Sequence, residues 1–278
     1  MVRRRSVYLW LTYLSIIIVV LIILFPVYWI VNSSLQPSSA IMNLPPNFIP
    51  EKLFFSNYQR IFSDIRYIRF FLNSFLSSGG TVVAVFLIAI PAGYSFSRYF
   101  FKGKSLMLTS IMSVQMFPIV VILISLYTFY MRWKLLNTYH GLILAYTTFA
   151  LPLSIMLMKS FFDTLPRSLD ESARIDGAGR IRILFSILIP LTKPGLVAIG
   201  IYTFLNSWDD YLLSLTIMQK VNMKTITVGL AQSFMGEYAY DYGALMAFSV
   251  IGSLPIVLFF IAFQKYMISG LTAGAVKG

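Results

Sequence analysis

Uncharged, mostly apolar runs recur along the chain at 6–31, 70–97, 105–131, 135–158 and 242–264. Each is of the order of the roughly 20 residues that a helix needs to cross the hydrocarbon of a bilayer. A sixth run is split: fifteen uncharged residues from Pro194 to Trp208 precede Asp209 and Asp210, and Tyr211 to Gln219 is apolar again. The pattern predicts one helix over this stretch with its acids near the outer end, and six membrane-spanning helices in all. Within the runs, Ser77-Ser78-Gly79-Gly80 and Pro91-Ala92-Gly93 are small enough to let helices approach closely. Pro118, near Gln115 in the third run, and Pro152 in the fourth interrupt the backbone ladder, as in a transporter with broken helices or in ordinary packing kinks.

Two polar stretches separate these runs most widely. From Asn32-Ser33-Ser34 to about Arg69, Pro37, Pro45, Pro46 and Pro50 forbid a long helix at the start, while Leu53, Phe54, Phe55, Tyr58, Ile61 and Phe62 suit an amphipathic piece on a surface. A plain linker fits equally well. The other stretch, 166–190, predicts a compact knob. Pro166 is followed by Ser168 and Glu171 at the S-x-x-E spacing of a capping box, so a short helix should begin there. Gly177 and Gly179 can take positive φ and turn the chain, and a second helix should show Ile181, Leu184 and Leu188 on one face. Glu171, taken alone, could simply cap its own helix.

Composition agrees with the bilayer reading: of 278 residues, 58% are hydrophobic and 12% charged, with a mean hydropathy of +0.78, too apolar for one soluble core. The net charge of +12 is a matter of topology rather than of nucleic-acid binding. If the N-terminus is cytoplasmic, 14 of the 22 lysines and arginines fall on the cytoplasmic side of six spans, as the positive-inside rule requires. Arg98, Lys102 and Lys104, together with Arg167, Arg174, Arg180 and Arg182, decide this orientation, and both termini are then cytoplasmic. Arg3-Arg4-Arg5 before a long apolar run with no small-x-small cleavage site predicts a retained first helix.

Catalytic chemistry has little to work with. There is no cysteine, so disulfides and thiolate-bound metals are excluded, and His140 is the sole histidine, which rules out multi-histidine zinc clusters. No G-x-S-x-G elbow lies beside it. Gly103-Lys104-Ser105 mimics the end of a phosphate loop, but Arg98 stands where the earlier glycine is required. The chain is expected to bind no cofactor and to be no enzyme; an energy source must come from another polypeptide.

Glu171-Ser172-Ala173, three residues, Gly177, nine residues, Ile187, one residue and Ile189-Pro190 resemble the EAA-x3-G-x9-I-x-L-P loop of permease subunits of ATP-driven bacterial importers, with Ser172 for the second Ala and Ile189 for Leu. Leu136 to Leu144, Leu151-Pro152 to Leu165-Pro166, Asn206 to Tyr211 and the ending Gly270 to Gly278 extend the resemblance to sugar-uptake permeases of the maltose type over nearly the whole chain. The resemblance implies an all-α, six-helix type I ABC-importer transmembrane domain: a single membrane domain over 1–278, a permease core over 70–265 and a coupling loop at 166–190. It implies a bacterial inner-membrane location, a second permease subunit, two ATPase subunits carrying ATP and Mg, and an external sugar-binding protein. Glu171, Ser172, Ala173, Asp176, Gly177, Ala178, Ile187, Ile189 and Pro190 would be the ATPase-coupling residues, with Ala173 and Ala178 keeping the contact surface close and Pro190 and Pro194 fixing the elbow into the fifth span. The last residues would be a flexible tail reaching toward the ATPase pair.

Gln115, Asn206, Trp208, Asp209 and Tyr211 are the candidates for a substrate path. Charges adjoining a span are costly unless paired or wet, so Asp209 and Asp210 either face a watery cavity or are solvated at the outer interface, the simpler reading for acids at a helix end. Trp208 and Tyr211 could stack on a sugar or join an interfacial belt. The rival function is a self-sufficient ion-coupled carrier or channel, with the two aspartates holding the ion and 171–190 an ordinary loop.

Overall fold

The computed structural model describes residues 2–234 and 241–275, with side chains over 9–234 and 241–264. Among the described residues there are helices and no strands. They are α1 (Val2–Ser34), α2 (Ser38–Ile41), α3 (Ser56–Ser63), α4 (Ile65–Arg98), α5 (Lys104–Ser113), α6 (Ile119–Arg132), α7 (Tyr139–Asp163) and α8 (Ser168–Ile175). Then come α9 (Arg180–Arg182), a π-helical stretch Ile183–Leu188, α10 (Ile189–Leu191), α11 (Lys193–Trp208), α12 (Leu212–Ile217), α13 (Ile226–Phe234) and α14 (Tyr242–Ala275).

Among the described residues, four helical stretches are long and apolar enough to cross a membrane: Leu9–Ser34, Ile65–Arg98, Tyr139–Asp163 and Tyr242–Gln264. The third and fifth expected spans are instead bent pairs. Lys104–Met116 meets Ile119–Arg132 at 97°, because Phe117, which precedes Pro118, is extended at φ −83°, ψ 128°, as the proline ring demands. Arg180–Leu191 meets Lys193–Trp208 at 81°, so the fifth span is not the single helix over 194–219 that the apolar pattern predicts. It stops at Trp208, because the Asp210 carboxylate accepts from the amides of Leu213 (3.4 Å) and Ser214 (2.9 Å) and starts α12. The expected tail at Gly270 and Gly274 is helical as far as Ala275; 276–278 lie outside the described residues.

The chain forms two compact units, Met1–Ile68 with Leu230–Leu254, and Arg69–Gly229 with Pro255–Gly278. In the first, every side chain of α1 from Leu9 to Tyr28 is exposed. The polar excursion is anchored rather than loose. Asn57 donates to the carbonyls of Ser34 and Gln36, each at 2.9 Å, and Ser38 Oγ to Asp241 at 2.6 Å, and Tyr67, Phe234 and Phe248 stack in a buried aromatic group. Of the apolar residues in this excursion, Ile61 is buried, while Leu53, Phe55 and Phe62 stay exposed, so α3 packs by one face.

In the second unit, α4 and α7 run parallel. A Cβ on Gly80 would meet Ile143, and one on Gly93 would meet Met158. Further along, Ser97 bonds Asp163 and Arg98 bonds Leu165. α11 runs antiparallel to α7, with Gly195 against Phe161 and Asp210 against Tyr146. Thr138 caps α7, its Oγ1 accepting from Gly141 N at 3.1 Å; His140 follows in the first turn, exposed. A core of Val85, Ala89, Met158, Phe162, Ile183, Leu188 and Ile199 joins α4, α7 and α11 to the polar knob.

Candidate functional site

The knob at 166–190 forms, with local differences from its predicted details. Ser168 lies inside α8 rather than capping it; Arg167 occupies the cap position with no side-chain bond, so no capping box exists. Asp170 and Glu171 in the first turn suit the helix dipole instead. Gly177 takes φ +79°, the left-handed conformation that glycine adopts at little cost. Its amide donates to Arg174 O (3.0 Å) and that of Ala178 to Ala173 O (2.9 Å). This pair of bonds is a Schellman motif, and Ala178 packs on the buried apolar cluster to which Ala173 belongs. Gly179 has φ −69°, ψ 162° and so makes no use of glycine's freedom.

The second arm also departs from the 3.6-residue pattern. Ile181 is 76% exposed, whereas Ile183, Leu184 and Leu188 are buried. Ile183 and Leu188, five apart, share the inner face because the turns between them are π-helical. Pro190, immediately beyond, has no amide to give the carbonyl four residues back. The elbow falls at Thr192, between Pro190 and Pro194, where the buried hydroxyl bonds Leu188 O (3.1 Å) and Ile189 O (3.2 Å).

Placed on this frame, the coupling candidates separate into two faces. Glu171, Ser172, Asp176, Gly177 and Pro190 are exposed; Ala178, Ile187 and Ile189 are half-buried; Ala173 is buried in the core of its own chain. Ala173 therefore holds the knob down rather than lying on its outer surface. Exposed on the knob as well are apolar side chains that the sequence reading did not single out: Ile175 at 87%, one turn after Glu171, and Phe185 at 59%, on the second arm. Also missed was an attachment beneath. Arg98, at the end of α4, faces Asp170 across a buried ion pair with Nε 3.0 Å from Oδ2, and Ser97 donates to Asp163 at 2.6 Å. Asp170 lies three residues before Ala173, a helical spacing that puts it on the same inward face, and this was the available signal.

The substrate-path candidates are not all brought together. Asn206 and Asp209 line a cavity of about 450 Å³ with Leu205, Asp210 and Ile256. Asn206 and Asp210 also face a smaller one of about 130 Å³ whose wall includes Tyr146, Tyr202 and Ser207. Asp209 is exposed, as expected of a solvated acid, but Asp210 is not simply solvated. It caps α12 and accepts from Tyr146 Oη at 3.1 Å. Trp208 is 3% exposed and stacks on Phe204 at 5.4 Å, away from both cavities. Tyr211 is 38% exposed, and Gln115 is exposed in the 3-10 turn Val114–Met116 before the bend.

Bent and continuous apolar helices, with a polar, partly apolar-faced knob interrupting them in the chain, define a polytopic membrane protein of the importer-permease type. The chain belongs to the family of binding-protein-dependent transport system inner membrane components, which matches residues 68–272. It is 36% identical to a sulfoquinovosyl glycerol transport system permease protein of Agrobacterium fabrum, over 92% of this chain and 89% of the relative. To a trehalose/maltose transport system permease protein of Thermococcus litoralis it is 34% identical, covering 94% of each. A chain of the bacterial ABC transporter that imports the acidic polysaccharide alginate has the same fold, with a TM-score of 0.83 at 21% identity over 95% of this chain and 98% of that one.

Proposed function

We propose that this chain is a permease subunit of an ATP-driven carbohydrate importer, contributing half of the translocation pathway and docking a separate ATPase through the knob at 166–190. The observation that carries the reading is the knob's outer face. Glu171, Ile175, Ile181 and Phe185 are exposed on a turn that Ala173, Ile183 and Leu188 anchor to the core. Exposed apolar side chains on a rigid, polar-rimmed projection mark a protein contact. Ser172, Asp176, Gly177 and Pro190 belong to the same outer surface, while Ala178, Ile187 and Ile189 support it. ATP and Mg act on the ATPase pair, and closure of that pair moves the spans as rigid bodies.

A second permease subunit and an external sugar-binding protein complete the assembly, with this chain's termini and knob in the cytoplasm and 70–265 as its permease core. An alginate transporter of the same fold, with a TM-score of 0.68 at 16% identity, is described in complex with its pentasaccharide-bound periplasmic protein. The sugar-facing wall is assigned to Asn206 and Asp209, with Gln115 and Tyr211 along the path; Trp208, stacked on Phe204 away from both cavities, is left out of it. Nothing favours the ion-coupled alternative, since Asp210 is occupied by Tyr146 and the start of α12.

The test is Glu171→Lys with Gly177→Leu in the complete transporter. ATP hydrolysis should continue while sugar uptake is lost, at unchanged membrane abundance of the protein. Normal uptake by the double variant, or failure of crosslinks from the knob to capture any ATPase, would overturn the assignment.

A further inference from the structure

Ser97 and Arg98, the last two residues of α4, and Tyr99 just after it each hold a different part of the knob's base. Ser97 Oγ donates to Asp163 Oδ1 at the end of α7 (2.6 Å). Arg98 donates from Nη2 to the carbonyl of Leu165 in the linker (3.1 Å) and sets Nε 3.0 Å from Asp170 Oδ2 in α8. Tyr99 lies beneath the Arg180 guanidinium, 5.2 Å from the ring centre, on the far arm of the turn. The Arg98 and Asp170 side chains are only 6% and 7% exposed, and their contact lacks the alignment of a hydrogen bond, so charge holds it.

Burying two charges costs much of what their attraction returns, so such a pair adds little net stability over apolar packing of the same shape. What it adds is resistance to separation. Apolar surfaces can slide past one another with little change in buried area, but parting Arg98 from Asp170 in a dry interior leaves two uncompensated charges. The neighbour of Asp170 in α8 is Glu171, which faces solvent. A displacement imposed on the outer face of α8 is therefore one residue away from a contact that the end of α4 must follow.

We propose that Arg98 and Asp170 are positioning residues for coupling: their buried pair makes α4 move with α8, so that displacement of the knob is delivered to a membrane-spanning helix. This rests on the reading of the knob as an ATPase dock. It also gives Arg98 a mechanical role in place of a purely topological one.

The chain has no cysteine, so two labels can be placed at will. Phe100→Cys and Arg167→Cys, both at exposed positions, put spin labels just past α4 and at the start of α8 in the complete transporter, with partner cysteines replaced. The distance between them is measured with and without ATP. With the native pair, ATP should leave it unchanged, because the two ends move together. With Asp170→Asn or Arg98→Gln, each of which removes one charge of the pair, ATP should shift or broaden it while the ATPase still copurifies, and the exchanged pair Arg98→Asp with Asp170→Arg should restore the native response. A response to ATP in either single variant identical to that of the native pair overturns the proposal. So does failure of both conservative variants to assemble, which would make the pair a folding element. If the native transporter captures no ATPase, the dock itself is wrong, an outcome separable from the other two.

Discussion

Gly177 and Gly179 lie two residues apart in the same exposed turn, and a Cβ built on either meets nothing within 4 Å. They differ in backbone conformation alone, φ +79° against φ −69°, which makes them a controlled pair. Alanine at 177 must adopt the left-handed region, at a cost of roughly 1–2 kcal/mol. The entropy it removes from the unfolded chain offsets about 0.4–1 kcal/mol of this, leaving a net loss of about 1 kcal/mol. Alanine at 179 carries only the entropic gain, so it should stabilise by about 0.4–1 kcal/mol. The two variants should differ by about 1.5 kcal/mol, which is about tenfold in the local opening constant. Hydrogen exchange at amides 177 and 178, whose bonds to Arg174 O and Ala173 O close the turn, reads that constant directly. Protection should fall in Gly177→Ala and hold or rise in Gly179→Ala, with Gly177→Asn less affected than alanine because asparagine tolerates the left-handed region. Equal protection in the two alanine variants would refute the conformational account of the turn.

Gly93→Ala would set a Cβ 2.8 Å from Met158 Cβ and 2.9 Å from the backbone nitrogen of Lys159, where no flexible side-chain tip can yield. A loss of about 1–3 kcal/mol is expected from this overpacking, against none for Gly79→Ala, whose Cβ is free of neighbours; thermal unfolding of the purified protein should separate the two, and identical midpoints would sink the close α4–α7 approach. Near the start of α4, hydrogen bonds from the Arg66 side chain and amide hold the Asp64 carboxyl below its ordinary value of 3.8. A lowered folded-state value means stability present above the unfolded pKa and lost as the pH falls through the folded one. The native protein should therefore lose its small advantage over Asp64→Asn below about pH 4, a surface effect of no more than about 1 kcal/mol; superimposable pH profiles would refute it.

Residue pattern was most informative where a single physical demand dominated. Length and apolarity fixed α1, α4, α7 and α14 because a bilayer allows backbone groups no other partner than their own helix. Proline was ambiguous: Pro26, Pro91, Pro152 and Pro255 lie inside continuous helices, while Pro118 ends one. What decides is whether the preceding residue stays helical, and that depends on packing from elsewhere in the chain. Asp210 was legible as an expensive acid beside a span but not as the cap of α12, since capping requires knowing that the helix stops at Trp208. In the knob, the glycine turn was readable from local chemistry. The inward faces of α8 and the second arm were not, because a π-helical register and an ion pair with Arg98, 72 positions from Asp170, cannot be seen in a window of one or two turns.

The placement of the knob follows from how α4, α7 and α11 pack. Contacts at Gly80 with Ile143, Gly93 with Met158 and Arg98 with Leu165 keep α4 and α7 together over most of their length, and close-packed helices respond to force as one body. The knob is fastened to the ends of both, through Asp163, Leu165 and Asp170. Its second arm continues into α11 across the 81° elbow at Thr192, where the helical ladder is already broken between two prolines. Stiffness therefore lies between the knob and the α4–α7 pair, while the buried bend at Thr192 aims the second arm into α11. A force entering at Glu171 should turn α4 and α7 together, and with them α11, which Gly195 against Phe161 and Asp210 against Tyr146 hold along α7, so that Asn206 at the wall of its cavity moves with the knob.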